Sequence, residues 1–378
     1  MKIRTITTGF SMGVPLKEEQ IIKIANFANY AKKVFKDKRY NLQTIRISTQ
    51  PWEEYFRSEN QIIELVKELE SYTRKYNIDY FNIGTTKNPK LIKLIYYLLK
   101  STSNMFCTST ICDDKNIDYE ASRQTAKLIK RLSKIRPDGF DNLRFAALFN
   151  TKPGSPFFPA AYHEGANSFA IGTENSDLIY KSFLKAKDIK KASAILKKVL
   201  TDEFKKIENI AKSISKKEKI KYDGIDVSIA TSVKPEESIA YAFEKLRLGK
   251  FGEAGTLAIA KIITDTLKSL NIKKCGYSGL MLPVLEDYGL AMRNKEATFN
   301  LTNLLLYSAI CGTGLDTIPL PGNVSEKKLY SLLLDIASLS LKLDKPLSAR
   351  LMIVPNKKIG EMTDYKFEYF VNSKIMRI

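Results

Sequence analysis

Two periods of hydrophobicity alternate along this chain from one end to the other. Short runs of alternating apolar and polar positions, or of β-branched residues, read as strands. They fall at 3–8, 42–48, 80–85, 105–111, 143–149, 168–172, 225–230, 277–282, 315–318, 349–354 and 365–370. Between them apolar residues return every three to four positions, the spacing of one helix face. Ile21, Ile22, Ala25, Phe27, Ala28 and Ala31 mark a helix over 18–35, and Ile62, Ile63, Leu65, Val66 and Leu69 one over 61–76. The longest stripe, from Ala192 to Ile214, predicts a helix over 189–214, and 325–343 closes the series. Strands joined by crossover helices make an α/β protein. About ten strands is many for a small open sheet, so the pattern predicts an α/β barrel with its helices outside.

Composition adds boundaries to this picture. The chain has 378 residues without a Gly/Ser linker or low-complexity run, so the expectation is a single α/β barrel domain over 1–378. No apolar run reaches the ~18 residues that span a bilayer, and the start lacks the apolar stretch of a signal peptide, which predicts a cytoplasmic protein with no membrane partner. Lys and Arg total 61 against 41 Asp and Glu, a net charge of +20. Such a basic protein attracts nucleic acid, yet the lysines are spread along the chain. The one dense stretch, 212–221, ends a helix pattern and reads as a solvated helix end. Nucleic-acid binding is therefore expected to be non-specific only. Abundant Lys and Ile beside one His are also what a thermophile or an AT-rich genome leaves.

The familiar catalytic signatures are absent: no GxGxxG, no GxxxxGK[ST], no HExxH and no GxSxG. The four cysteines, Cys107, Cys112, Cys275 and Cys311, lack the paired spacing of a zinc site. Candidate chemistry rests on scattered residues. His163, the sole histidine, sits in a loop, 150–165, stiffened by three prolines. It is a candidate acid-base group, or a loop histidine bonded to backbone. Cys107 is a candidate nucleophile inside a strand, or a buried apolar thiol. Cys311 opens Cys311-Gly-Thr-Gly-Leu-Asp316, where Gly312 and Gly314 allow backbone to approach a ligand or merely cap a helix. Glu286 is a candidate catalytic carboxylate. Asp287, beside it, either caps a helix or binds a divalent cation, the one cofactor considered. Gly252 to Gly255 open a helix and signal weak anion binding. Arg350 lies mid-strand, where a cation is costly unless paired with a carboxylate such as Asp316 or Asp226, or turned to grip an anionic ligand.

Several of these segments together resemble the domain of unknown function 711 family. The residues that carry the resemblance are Ile3-Arg-Thr-Ile-Thr-Thr-Gly9, Phe106-Cys-Thr-Ser109, Ser155-Pro-Phe-Phe-Pro-Ala-Ala-Tyr-His163, Ile225-Asp-Val-Ser228, Pro283-Val-Leu-Glu-Asp-Tyr-Gly289, Ala309-Ile-Cys-Gly-Thr-Gly-Leu-Asp316 and Ala349-Arg-Leu-Met-Ile-Val-Pro355. The resemblance implies the barrel of pyruvate formate-lyase-type glycyl radical enzymes. It does not imply their radical, because the tail 365–378 holds no glycine.

Three functions stay open on the sequence. The first is a cytoplasmic enzyme acting on a small anionic metabolite at a barrel mouth, with Cys107, His163, Cys311 and Glu286 as catalytic groups. Arg350, Gly312, Gly314 and Asp316 would hold the substrate. The second is a non-catalytic metabolite-binding or regulatory protein using the same pocket, and the third a basic nucleic-acid-binding protein. The partners expected are a small-molecule ligand and a second copy in a homo-oligomer.

Overall fold

Strands and helices follow one another along most of the computed structural model, which describes residues 1–114, 116–186 and 188–378, with Cys311 described by its backbone alone. The strands are β1 (Lys2–Gly9), β2 (Leu42–Ser48), β3 (Tyr80–Thr86), β4 (Met105–Asp113), β5 (Asn116–Ile117), β6 (Phe145–Phe149), β7 (Ser168–Glu174), β8 (Lys221–Ala230), β9 (Gly314–Pro321) and β10 (Leu347–Val354). The helices are α1 (Glu18–Asp37), α2 (Glu59–Lys75), α3 (Pro89–Ile92), α4 (Ile95–Ser101), α5 (Tyr119–Leu132), α6 (Ser176–Ala186), α7 (Ile189–Glu218), α8 (Ile239–Glu244), α9 (Thr256–Ser269), α10 (Tyr288–Lys295), α11 (Leu301–Cys311) and α12 (Glu326–Leu343). Their starts are chemically marked. Ser58, Asp118, Asp188, Asn300 and Ser325 each accept a backbone N–H of the first turn that the helix itself leaves unpaired.

The sheet runs in the order β8-β7-β1-β2-β3-β4-β6-β10-β9, with the short β5 hydrogen-bonded to β4 as a hairpin. Strands β1, β2, β3, β4 and β6 pair in parallel. At each flank the direction reverses: β7 is antiparallel to β1, and β10 to β6, while β8 and β9 continue in parallel with them. The segment 273–284 joins the two edges. On one side Ile225 and Ile229 donate to the carbonyls of Lys273 and Gly279, both at 2.9 Å, and on the other Val284 donates to the Asp316 carbonyl at 3.2 Å. All its bridges are parallel, the geometry expected of the last stave of a barrel. The predicted strand at 277–282 is this segment, which makes bridges but no continuous ladder. The predicted strand at 365–370 is not a strand: Tyr365 and Phe367 pack edge-on, and Phe370 tilted, against Phe140 instead.

Burial explains why most strands read as apolar runs rather than clean alternation. Every residue of β6 and β7 is buried, because one face meets the helices and the other the crowded interior. One continuous hydrophobic core takes in residues from Ile3 to Met376. No helix among the described residues is long and apolar enough to cross a membrane.

Candidate functional site

A cavity of about 310 Å³ opens at the ends of the sheet where β1 to β4 and β6 begin. That is the small end of the ~300–1,000 Å³ range of ligand pockets. The proline-stiffened loop builds one wall of it. Pro156 accepts the Thr7 hydroxyl at 2.7 Å, and Pro159 the Asn82 side-chain amide at 2.5 Å, so the loop is pinned between β1 and β3. Phe157 lies over Gly172, where an added Cβ would stand 2.9 Å from the ring. Phe158 and Pro159 then face the cavity together with Phe106 of β4. Phe367 and Tyr369 of the C-terminal segment form the rim.

Opposite this apolar wall lies a set of ion pairs. Arg350, only 9% exposed, donates from Nε and Nη2 to both oxygens of Asp316, at 2.6 and 3.0 Å, and from Nη2 to Glu286 at 2.6 Å. The register explains the fit: a bulge sets Asp316 and Thr317 opposite Arg350, with Thr317 at φ +44°. Burial alone would lower the Arg350 pKa, but Asp316 and Glu286 more than offset it and hold it raised. Glu286 also accepts Arg4 at 3.3 Å, and Arg4 itself stands at a bulge between β1 and β7. Asp226 is not a partner of Arg350. It is fully buried and accepts the N–H groups of Tyr277 and Ser278, both at 2.9 Å, which fastens the joining segment to β8.

One cation of the cavity differs from the rest. Arg46 of β2 donates through Nε to Thr44 at 2.9 Å, and among the described residues its terminal nitrogens have no protein partner and no carboxylate. Its guanidinium stacks on Phe158 and Tyr80, 5.1 and 5.5 Å from the ring centres. Burial, and after it the charge of Arg4, pushes its pKa down to about 10. Sequence reasoning missed this residue, although Leu42-Gln-Thr-Ile-Arg-Ile-Ser48 carries a cation mid-strand just as the Arg350 segment does.

The residues singled out from the sequence divide between this cavity and the rest of the fold. Glu286, Asp316 and Arg350 line it. Cys107 and His163 do not. Phe106 faces inward, so its neighbour Cys107 points to the helix layer, fully buried in the hydrophobic core, where burial raises the thiol pKa far from reactivity. His163 is anchored at the far end of β1. Its ring bonds the Gly165 carbonyl at 3.0 Å and lies where a Cβ on Gly9 would stand, and burial lowers its pKa. The Cys311 side chain lies outside the described residues. Gly312 ends α11 in the left-handed conformation, and Gly314 presses against the Ser348 backbone; Thr313 between them lines the cavity. The Asp287 carboxylate is spent on capping. It accepts the Ser238 hydroxyl and the N–H groups of Ile239 and Leu290 at 2.7, 2.7 and 2.9 Å, against a burial that pushes it up to about 6. Among the described residues no group of three or more His, Cys, Asp or Glu is placed to hold a metal ion.

Compared with known proteins, residues 1–366 match a family profile described as "Uncharacterised ACR (DUF711)". The chain belongs to this family. Relatives of this DUF711 chain include a UPF0210 protein of Clostridium perfringens, 25% identical over 401 residues and covering 97% of this chain and 88% of the relative. Another is a UPF0210 protein of Methanococcus aeolicus, 24% identical over 324 residues, with 81% and 71% covered. Among solved structures, the anaerobic ribonucleotide reductase from Thermotoga maritima in complex with dATP and CTP is similar at 10% identity and a TM-score of 0.41, over 92% of this chain and 74% of that one.

Proposed function

We propose that the cavity binds a small organic anion with an apolar body, the anion on Arg46 and the body against Phe106, Phe157 and Phe158. What carries the reading is the unpaired Arg46 guanidinium. A partly buried cation without a hydrogen-bonded carboxylate is incompletely compensated, and a carboxylate or phosphate accepts both terminal nitrogens at once. The pocket supports binding over turnover. Glu286 and Asp316 are already engaged by Arg4 and Arg350, and burial pushes the Tyr277 hydroxyl up to about 12. Neither carboxylate stands free of a cation, and the Tyr277 hydroxyl lies far above neutrality.

The test is calorimetric titration of the purified chain with 3-phenylpropionate and 4-methylpentanoate, repeated on Arg46→Met. The variant should lose at least about tenfold in affinity, since hydrogen bonds to a charged group are worth ~1.5–3 kcal/mol. Its ligand-free melting temperature should be unchanged or higher, because a partly buried charge without a hydrogen-bonded counter-ion has been removed. Binding at full affinity to Arg46→Met sinks the proposal.

A further inference from the structure

One element gathers charge that is otherwise scattered. The long helix α7 holds nine lysines against four acids, and Lys219 caps its end. Lys191, Lys198, Lys205, Lys212 and Lys219 follow one another at intervals of seven residues, and all five are exposed. Seven residues are two helical turns, a rise of ~10 Å with a drift of only ~20° around the axis. The five therefore form one row along the outer side of α7, turned away from the buried stripe of Leu196, Leu200, Phe204, Ile207 and Ala211. From Lys191 to Lys212 the row runs ~32 Å, close to the ~34 Å of one turn of duplex DNA. Lys190, Lys197 and Lys216, exposed too, widen it.

Most of this charge is unspent within the protein. Lys212 meets Glu208 at 3.0 Å, but among the described residues Lys191, Lys198, Lys205 and Lys219 have no carboxylate within ion-pair distance. Two further lysines lie off the row and are engaged there, Lys206 with Glu203 at 2.6 Å and Lys217 over the Tyr30 ring at 4.5 Å. What stands between the lysines decides what they can meet. Ala194, Thr201, Asn209 and Ser213 share their side of the helix, all small or polar. No large apolar side chain is exposed on α7 to wedge into a bilayer, and its outer side carries no aromatic ring to stack on the bases of a single strand. A line of cations on a straight support suits phosphates held at fixed positions by a double helix.

We infer that α7 is a docking surface for duplex DNA, laid along the phosphate backbone over about one turn and blind to the bases. The experiment follows a labelled duplex of arbitrary sequence by fluorescence anisotropy across a salt series. Five neutralised phosphates give wild type a log–log slope of about −4.5. Lys191→Gln, Lys198→Gln and Lys205→Gln together should make it shallower by about 2.7 and cost at least about tenfold in affinity near 0.1 M salt. The control removes the same charge elsewhere, with Lys327→Gln, Lys328→Gln and Lys342→Gln on α12, and should bind within about threefold of wild type. Gln is nearly as good a helix former as Lys, so both variants should melt as wild type does. Equal losses in the two variants would show that net charge alone attracts the duplex, and the row would fall. It would fall as well if a single strand of equal length bound wild type more tightly than the duplex. Vesicles of phosphatidylserine that outcompete the duplex for α7 would give the row to a membrane instead. Should the α7 variant not fold, the wild-type slope decides: shallower than about −2, it leaves too few phosphates for the row.

Discussion

Arg46 and Arg350 pose the same question at the scale of single residues, and their surroundings answer it differently. Each is a guanidinium in the middle of an apolar strand. Arg350 finds two carboxylates and becomes part of the framework; Arg46 finds two aromatic rings and a threonine. The strand position of both was legible in the sequence, but which one stays unpaired was not, because pairing depends on residues 34 and 64 positions away from Arg350. His163 and Cys107 were chosen for their chemistry, and chemistry alone does not say which way a side chain points. For His163 the consequence is a pH effect. Burial holds its pKa below the ordinary 6.5, so the folded state favours the neutral ring. Its contribution to stability is present above about 6.5 and is lost as pH falls through the folded value. Asp287, raised to about 6, works the other way, its contribution fading as pH rises. The difference between variants isolates the histidine. Between pH 7.5 and 5 the urea midpoint of His163→Gln should fall less than that of wild type, and equal slopes would refute the buried neutral imidazole.

Among the elements, strands and helices were legible wherever burial and hydrogen bonding coincide. They part company in two places. Segment 277–282 has the right residues but makes isolated bridges, because Pro283 and the left-handed Ser278 interrupt a ladder. Segment 365–370 alternates because its aromatics pack on Phe140, not because it pairs with a strand. Periodicity reports which side is covered and is silent on what bonds the backbone. At β9 the backbone itself sets the limit. Gly314 has φ +95°, and a Cβ there would lie 2.1 Å from the Ser348 carbonyl oxygen of β10. Gly314→Ala must part the two strands beside Thr313, a loss of ~3 kcal/mol or more by the usual cost of strain with a backbone clash. Gly13→Ala meets nothing within 4 Å and should stay within ~0.5 kcal/mol. Denaturant unfolding of the two variants checks this, and equal stability would remove the argument from close approach.

Across the whole molecule, the number of strands and their wrapping by helices followed from the alternation, whereas the reversal of direction at β7 and β10 did not. Crossover helices predict parallel neighbours, and nothing local marks a strand that returns the other way. The charge belongs to this scale too. A surplus of +20 spread over the surface should give duplex DNA an attraction without a reading of bases. Fluorescence anisotropy with arbitrary duplexes should show affinity falling steeply with salt, the log–log slope being about −0.9 per phosphate neutralised. Tight binding to one sequence that survives high salt would contradict it.

The ion pairs around Arg350 and Arg4 extend into a ladder that bears on how the protein comes apart. Its members are Lys2, Arg4, Glu174, Glu237, Glu286, Asp316 and Arg350, drawn from nearly the whole length of the chain. No fragment holds a complete set. Peeling away either end leaves largely buried partners such as Glu174 or Arg350 short of a counter-charge, which destabilises what remains. The ladder therefore acts as a test of completeness: it penalises half-assembled forms more than it rewards the finished one, and it pushes the molecule toward all-or-none cooperativity.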